Sequence, residues 1–308
     1  MAQSLRMVFR WHRSFLFTVI GLFMILQSGQ AFGHVMFGDP TSSIGGTNRF
    51  SLSVGGGGVI TQKFIFNDPS YTYVTPTQRL VFEGLEDSDD PEADSDEFKG
   101  EHIFLTGAYR FGAAGEIFLT VGQMRLKEEP FDGELGLIWG GGVRISPPQP
   151  GPFKAGLVLQ AFSGRTKDEG YDVLINGFRN NPNGSTFVFS EGSGENEIKY
   201  SGLSAMIGMS AQHFASFHPY IGLMITTLKG NEKGSVSGNG NVNDCVVGVT
   251  CTNTQEPFTA SWDMDFELNT MIGGIIGFQF SPDGPFTVTV EGQVGPQTAF
   301  YVSGGMQF

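Results

Sequence analysis

The chain is short of three things, and each shortage closes off a class of protein. Its 308 residues include only two cysteines, Cys245 and Cys251, too few for a disulfide scaffold or a thiolate metal cluster. Only 18 Lys and Arg stand against 31 Asp and Glu, a net charge of −13. Phosphate backbones demand clustered bases, so no nucleic acid is expected as a partner. After Leu26 no uninterrupted apolar run reaches the roughly 18 residues of a membrane helix. Catalytic spacings are missing as well: there is no G-x-S-x-G, no H-E-x-x-H and no metal-spaced Cys/His set. No enzyme activity and no cofactor are expected.

Glycine and phenylalanine are plentiful, with 45 and 29 copies. The chain opens on Arg6, Arg10 and Arg13 without an acid, continues through an apolar run from Phe15 to Leu26, and reaches small residues at Gly29, Ala31 and Gly33. That order reads as a secretory signal peptide over 1–33, cleaved on export. An oxidising compartment would let Cys245 and Cys251 pair, clipping a loop for about 2 kcal/mol.

Period-two alternation dominates the remainder. In "GELGLIWGGGVRIS", Leu135, Leu137, Trp139, Val143 and Ile145 fall on one face, and Glu134, Gly136, Gly140, Gly142 and Arg144 on the other. A strand separates the two sets; a helix would mix them. The same test selects ten segments, near 48–66, 99–111, 116–126, 133–146, 153–165, 198–213, 218–229, 262–280, 285–294 and 298–308. Most reach the roughly 9 to 11 residues of a tilted membrane strand. Their connections alternate between short and long, as periplasmic turns and external loops do. The fold expected is all-β: a transmembrane antiparallel β-barrel of about ten strands over 47–308, behind a short periplasmic segment at 34–46. "YTYVTPTQRLVFEG" at 71–84, and "YDVLI" with "TFVFS", read as hairpins above the membrane; were they to span it, the count would rise to 12 or 14.

In 298–308, Phe300, Val302, Gly304, Met306 and Phe308 alternate with Ala299, Tyr301, Ser303, Gly305 and Gln307. The pattern, with Tyr301, Met306 and Phe308 as its markers, resembles the C-terminal insertion signal of bacterial outer-membrane β-barrel proteins. That resemblance implies a Gram-negative cell envelope, outer-membrane lipid around the barrel, and the barrel-assembly machinery as a partner during insertion.

Parity assigns the lumen. Arg49, Lys63, Arg110, Arg144 and Lys154 are its expected bases, and Glu116, Glu134, Asp263, Asp265, Glu267 and Glu291 its acids. Arg110 and Glu116 should face each other across "GAAG". Paired charges would plug the interior. Alternatively, inward glycines such as Gly55, Gly142, Gly156, Gly208 and Gly277 would leave room for water, giving a narrow porin-like channel. Ten strands also resemble the omptin surface proteases, which set Asp and His at the outer rim. Asp263, Asp265 and Glu267, near the external end of their strand, are the rim candidates and lack a histidine, since His213 and His218 flank a short turn and His102 lies on another strand, so the likeness stops at the chemistry.

"EGLEDSDDPEADSDE", from Glu83 to Glu97, holds acids and no base. It reads as a solvated external loop in which Asp87, Asp89, Asp90, Asp94 and Asp96 could hold Ca²⁺ or Mg²⁺ loosely. The role expected is structural or surface-binding, exerted through such loops.

Overall fold

The structure, a computed structural model, describes residues 36–41, 49–62, 65–67, 70–83, 92–94, 98–112, 114–128, 131–181, 184–211, 216–246, 251–281, 285–295 and 297–308. The signal-peptide reading, Lys63, and the acidic-loop residues Asp87, Asp89, Asp90 and Asp96 lie outside them. All regular structure among the described residues is β: β1 (Phe50–Gln62), β2 (Ile65–Asn67), β3 (Ser70–Val74), β4 (Arg79–Glu83), β5 (Glu92–Asp94), β6 (Phe98–Phe111), β7 (Gly115–Glu128), β8 (Phe131–Asp132), β9 (Gly136–Ile145), β10 (Phe153–Asn181), β11 (Gly184–Ala211), β12 (Phe217–Val246), β13 (Thr252–Phe280), β14 (Phe286–Val294) and β15 (Gln297–Gln307).

Ten of these form a closed antiparallel ring in the order β12-β11-β10-β9-β7-β6-β1-β15-β14-β13, with β13 returning to β12. Each overlaps one of the ten segments that alternate in the sequence, though β10 to β13 extend well beyond theirs. Closure runs through β1 and β15, paired from Ser51 opposite Gln307 to Gln62 opposite Gln297. The Phe308 amide adds a bond to the Phe50 carbonyl at 2.8 Å. A ring leaves no edge, which is what hydrocarbon requires of a sheet.

Around this ring the outward positions form an apolar belt. Leu203, Ile207, Met209, Ile221, Leu223, Ile272 and Ile276 are each more than half exposed. From Phe153 to Ser163 on β10 there are ten residue steps. At about 3.3 Å each and a tilt of roughly 40°, the belt is about 25 Å tall.

The ring is cut obliquely. β9, β14, β15 and β1 stop near the top of the belt, while β10 to β13 run on for 28 to 30 residues each. "YDVLI" and "TFVFS" are therefore continuations of β10 and β11, and the stretches read as long connections at 166–197 and 230–261 are mostly strand. β3 and β4 pair with each other, and β3 adds to the free edge of β13 at Thr259 to Ser261. These six strands enclose a crown above the belt. Aromatic rings fill much of its interior: Tyr73 stacks on Phe258 at 4.8 Å and Tyr71 on Phe82 at 5.0 Å. Cys245 and Cys251 are joined by a disulfide at its tip.

Two bulges make the crown possible. On β13, Met271 faces Thr226 but Leu268 faces Leu228, so Asn269 and Thr270 together oppose Thr227. One extra residue reverses the faces. Below it Ile272 and Ile276 point to lipid; above it Trp262, Met264 and Phe266 are buried in the crown. The β10 register shifts likewise between Asp168 and Tyr171, turning Tyr171 and Ile175 inward.

Candidate functional site: a buried clamp in the lumen beneath a charged crown

The N-terminal segment occupies part of the lumen. Residues 36–41, expected on the periplasmic side, run inside the barrel, where Phe37 is fully buried and Asp39 and Thr41 nearly so. Glu291, on β14 and also fully buried, clamps this segment. Its carboxylate accepts the Phe37 amide at 3.1 Å, the Gly38 amide at 2.8 Å, the Tyr220 hydroxyl at 2.8 Å and the Gln293 side-chain amide at 2.7 Å. Gly38 has a φ of +71°, the left-handed turn that lets both amides reach one carboxylate. From the opposite wall Arg144 Nη2 donates to the Phe37 carbonyl at 2.7 Å and pairs through Nη1 with Glu116. Asp39 accepts the Thr41 amide and hydroxyl, each at 2.8 Å, and the Ser210 hydroxyl at 3.3 Å.

The inward glycines pack beside this segment and the rings around it. Each of those tested sits under a bulky neighbour: Gly55 under the Phe104 ring, Gly142 under Phe118, Gly277 under Tyr220, and Gly156 and Gly208 under Pro40 of the inserted segment. A side chain at any of these positions would collide with a ring or with the inserted chain. Above the inserted segment, His102 lies between Phe104 and Tyr301, with ring centroids 5.8 and 5.2 Å away. Below it a chamber of about 100 Å³ at the short-turn end is lined by Ser51, Ser53, Thr106, Gln279, Thr289 and Ser303.

The charges assigned to the lumen divide. Arg110, Glu116, Arg144 and Glu291 lie inside, and Arg110, Glu116 and Arg144 share one level of the register across β6, β7 and β9. Glu116 pairs with Arg144, two strands along from Arg110. Lys154 donates to the Gln149 carbonyl at the short-turn rim. Arg49 is exposed at that rim, where its amide meets the Phe308 carbonyl at 3.1 Å. Four assignments are corrected. Glu134 lies before β9 and is exposed, tied through its amide to the Lys167 carbonyl. Asp263, Asp265 and Glu267 point outward to water, because the β13 bulge inverts the parity that placed them in the lumen. Of the C-terminal residues, Tyr301 is buried in the lumen and Phe308 is exposed. Asp94, on β5, pairs with Ile65 of β2. Sequence reasoning missed Phe37, Asp39, Tyr220, Gln293 and Ser210. "DPT" at 39–41 carried a local signal, since an Asp two residues before a Thr forms a side-chain-capped turn.

On the outer face of the crown Asp263, Asp265 and Glu267 join a charge lattice, Glu267 through Lys229 at 3.5 Å. One row runs Arg165, Lys199, Asn231, Asp265 across four strands; the next runs Lys167, Glu197, Lys233, Asp263. Glu197 pairs with both Arg165 and Lys199. Partial burial opposes its charged form, but the hydrogen bonds from Lys199 and Arg165 outweigh that and hold its pKa below the ordinary value. The Lys233 ammonium, 2.8 Å from Asp263, and the amide of Asn231 hold Asp263 low. Inside the crown, burial pushes Glu232 up despite hydrogen bonds from Asn196 at 2.8 Å and Trp262 at 3.1 Å.

No protein-family model matches the chain, and no curated protein matches it. Solved structures do. The translocator domain of the autotransporter NalP from Neisseria meningitidis is similar at 11% identity and a TM-score of 0.36, over 86% of this chain and 90% of that one. The CymD monoaromatic hydrocarbon channel is similar at 10% identity and a TM-score of 0.29, over 85% and 89%. The outer membrane protein OprG from Pseudomonas aeruginosa is similar at 11% identity and a TM-score of 0.20, over 73% and 99%. The barrel itself rests on the strand pairings and the exposed belt: this is a closed antiparallel transmembrane β-barrel.

Proposed function

We propose that the chain is a non-enzymatic protein of the bacterial outer membrane, exported by a cleaved signal peptide, whose barrel is sealed by its own N-terminal segment and which works through its external crown. The observation that carries this reading is the Glu291 clamp. Four donors from three parts of the chain converge on one buried carboxylate, a cluster that would be costly to open. The lumen above it is packed with rings. What remains for interaction is the outer surface of the crown, together with the acidic segment 83–97.

Planar-bilayer recording tests the seal. Refolded wild-type protein should give no discrete conductance, whereas removal of 36–41 should open steps. Discrete steps from wild type would overturn the reading. Deleting 83–97 should leave insertion intact, read as an unchanged heat-modifiable mobility, and abolish surface binding.

A narrow channel is the second reading. The hydroxyl-lined chamber at the short-turn end favours it, because withdrawal of 36–41 would join that chamber to the middle of the barrel.

A further inference from the structure

Asp–Pro bonds occur in the chain at 39–40, 68–69 and 90–91. Such a bond is weaker than its neighbours, because an aspartate carboxyl can reach its own main-chain carbonyl and the proline nitrogen, which carries no hydrogen, leaves readily once protonated. The first of the three lies in the lumen, on the inserted segment.

There Asp39 and Thr41 are buried. One carboxyl oxygen of Asp39 accepts both the amide and the hydroxyl of Thr41, each at 2.8 Å, and the other accepts the Ser210 hydroxyl at 3.3 Å. An aspartate that accepts the amide two residues on closes a side-chain turn, which lays its carboxyl against the peptide groups in between. The first of those groups is the Asp39–Pro40 bond. On the leaving side Pro40 fills the space left by Gly156 and Gly208; on the other, Gly38 turns at a φ of +71° and gives its amide to Glu291. Both halves of the bond are thus held while the carboxyl lies over it, and holding reactants together is what speeds a ring closure. The chamber at the short-turn end is lined by Asp39 as well, so water can arrive.

We infer that Asp39–Pro40 is a self-cleavage site of the folded chain. A carboxyl oxygen of Asp39 adds to the Asp39 carbonyl carbon, the bond from that carbon to the Pro40 nitrogen breaks, and the carboxyl proton passes to the nitrogen. The product is a cyclic anhydride on Asp39 and a secondary amine on Pro40. Water then opens the anhydride to two carboxyl groups, so the net reaction is hydrolysis. Charged and titratable groups around the carboxyl are Arg110 on β6, Glu116 on β7, Arg144 on β9, His218 and Tyr220 on β12, and Glu291 on β14. Because the carboxyl supplies the proton, cleavage quickens as pH falls. The cut separates Phe37 and Gly38, held by Glu291, from the chain that continues to β1. It turns the seal proposed above into a removable peptide, although the step itself does not rest on that seal.

The test holds the refolded full chain in micelles at about pH 4, near the ordinary carboxyl range, and follows the three bonds by intact-mass spectrometry beside a urea-unfolded sample. In the folded sample Asp39–Pro40 should break roughly tenfold faster than the other two, and urea should remove that lead. Asp39→Asn keeps an acceptor for Thr41 but has no acid to attack. Its bond should stay intact while its heat-modifiable mobility matches wild type. Thr41→Val, which removes one of the two bonds to that oxygen, should slow the cut without changing mobility. No lead in the folded wild type, or the same lead in urea, would sink the inference, since the bond would then be breaking as any Asp–Pro bond does. Conductance plays no part in this readout, so a failed cut and an unsealed lumen are told apart.

Discussion

At the scale of single residues, buried carboxylates carry most of the consequences. Glu291→Ala leaves the Phe37 and Gly38 amides, the Tyr220 hydroxyl and the Gln293 amide without their acceptor. Each orphaned donor costs about 1–3 kcal/mol where water cannot reach it. Urea unfolding in micelles should therefore show a loss of at least about 3 kcal/mol, and the bilayer should register openings absent from wild type. In the crown, burial raises the Glu232 pKa above the ordinary 4.5. Protonation then favours the folded crown, so this contribution is present at pH below that of the unfolded group and is lost as pH rises through the folded value. Glu232→Gln keeps an acceptor for Trp262 and removes the charge. It should increase hydrogen-exchange protection of β12 at pH 7 and abolish the pH dependence that wild type shows there.

At the scale of elements, the β13 bulge determines which chemistry meets water. Cysteine placed at Asp263 or Asp265 should react within minutes with a membrane-impermeant maleimide on intact cells, and cysteine at Met264 or Phe266 should stay protected. Reversed labelling would return the acids to the lumen. The strand pattern itself was legible because β15 and the lower part of every wall keep strict parity against lipid. The bulge was not, since "ELNTM" at 267–271 carries no Gly or Pro to mark an insertion, and the apolar row passes unbroken from lipid-facing to core-facing. β12 hid its length in another way. "GSVSGNGNVND" at 234–244 has the composition of a loop, yet Gly234 makes room for Trp262 and Gly240 for Tyr73. The clamp was illegible because Phe37 and Glu291 are 254 residues apart and neither stands in a motif.

For the whole molecule, belt and crown should respond separately to acid. Asp263 and Glu197 have folded pKa values below their ordinary 3.8 and 4.5. A lowered carboxylate stabilises above its unfolded pKa, and that contribution is lost as pH falls through the folded value. The exposed pairs should thus fail below about pH 4, loosening the outer lattice while the ring keeps its backbone bonds. Limited proteolysis at pH 3 should cut within 165–199 and 229–267 and spare β14 and β15. Uniform protection at both pH values would show that the lattice contributes nothing.

The oblique cut of the ring has one more consequence. A particle as large as an antibody, arriving from the side of β14 and β15, meets lipid almost at once; arriving from the side of β10 to β13, it meets a wall of protein first. The molecule therefore shelters one sector of the surrounding leaflet and leaves the opposite sector bare, so neighbouring proteins packed around it would experience a polarised obstacle with a front and a back.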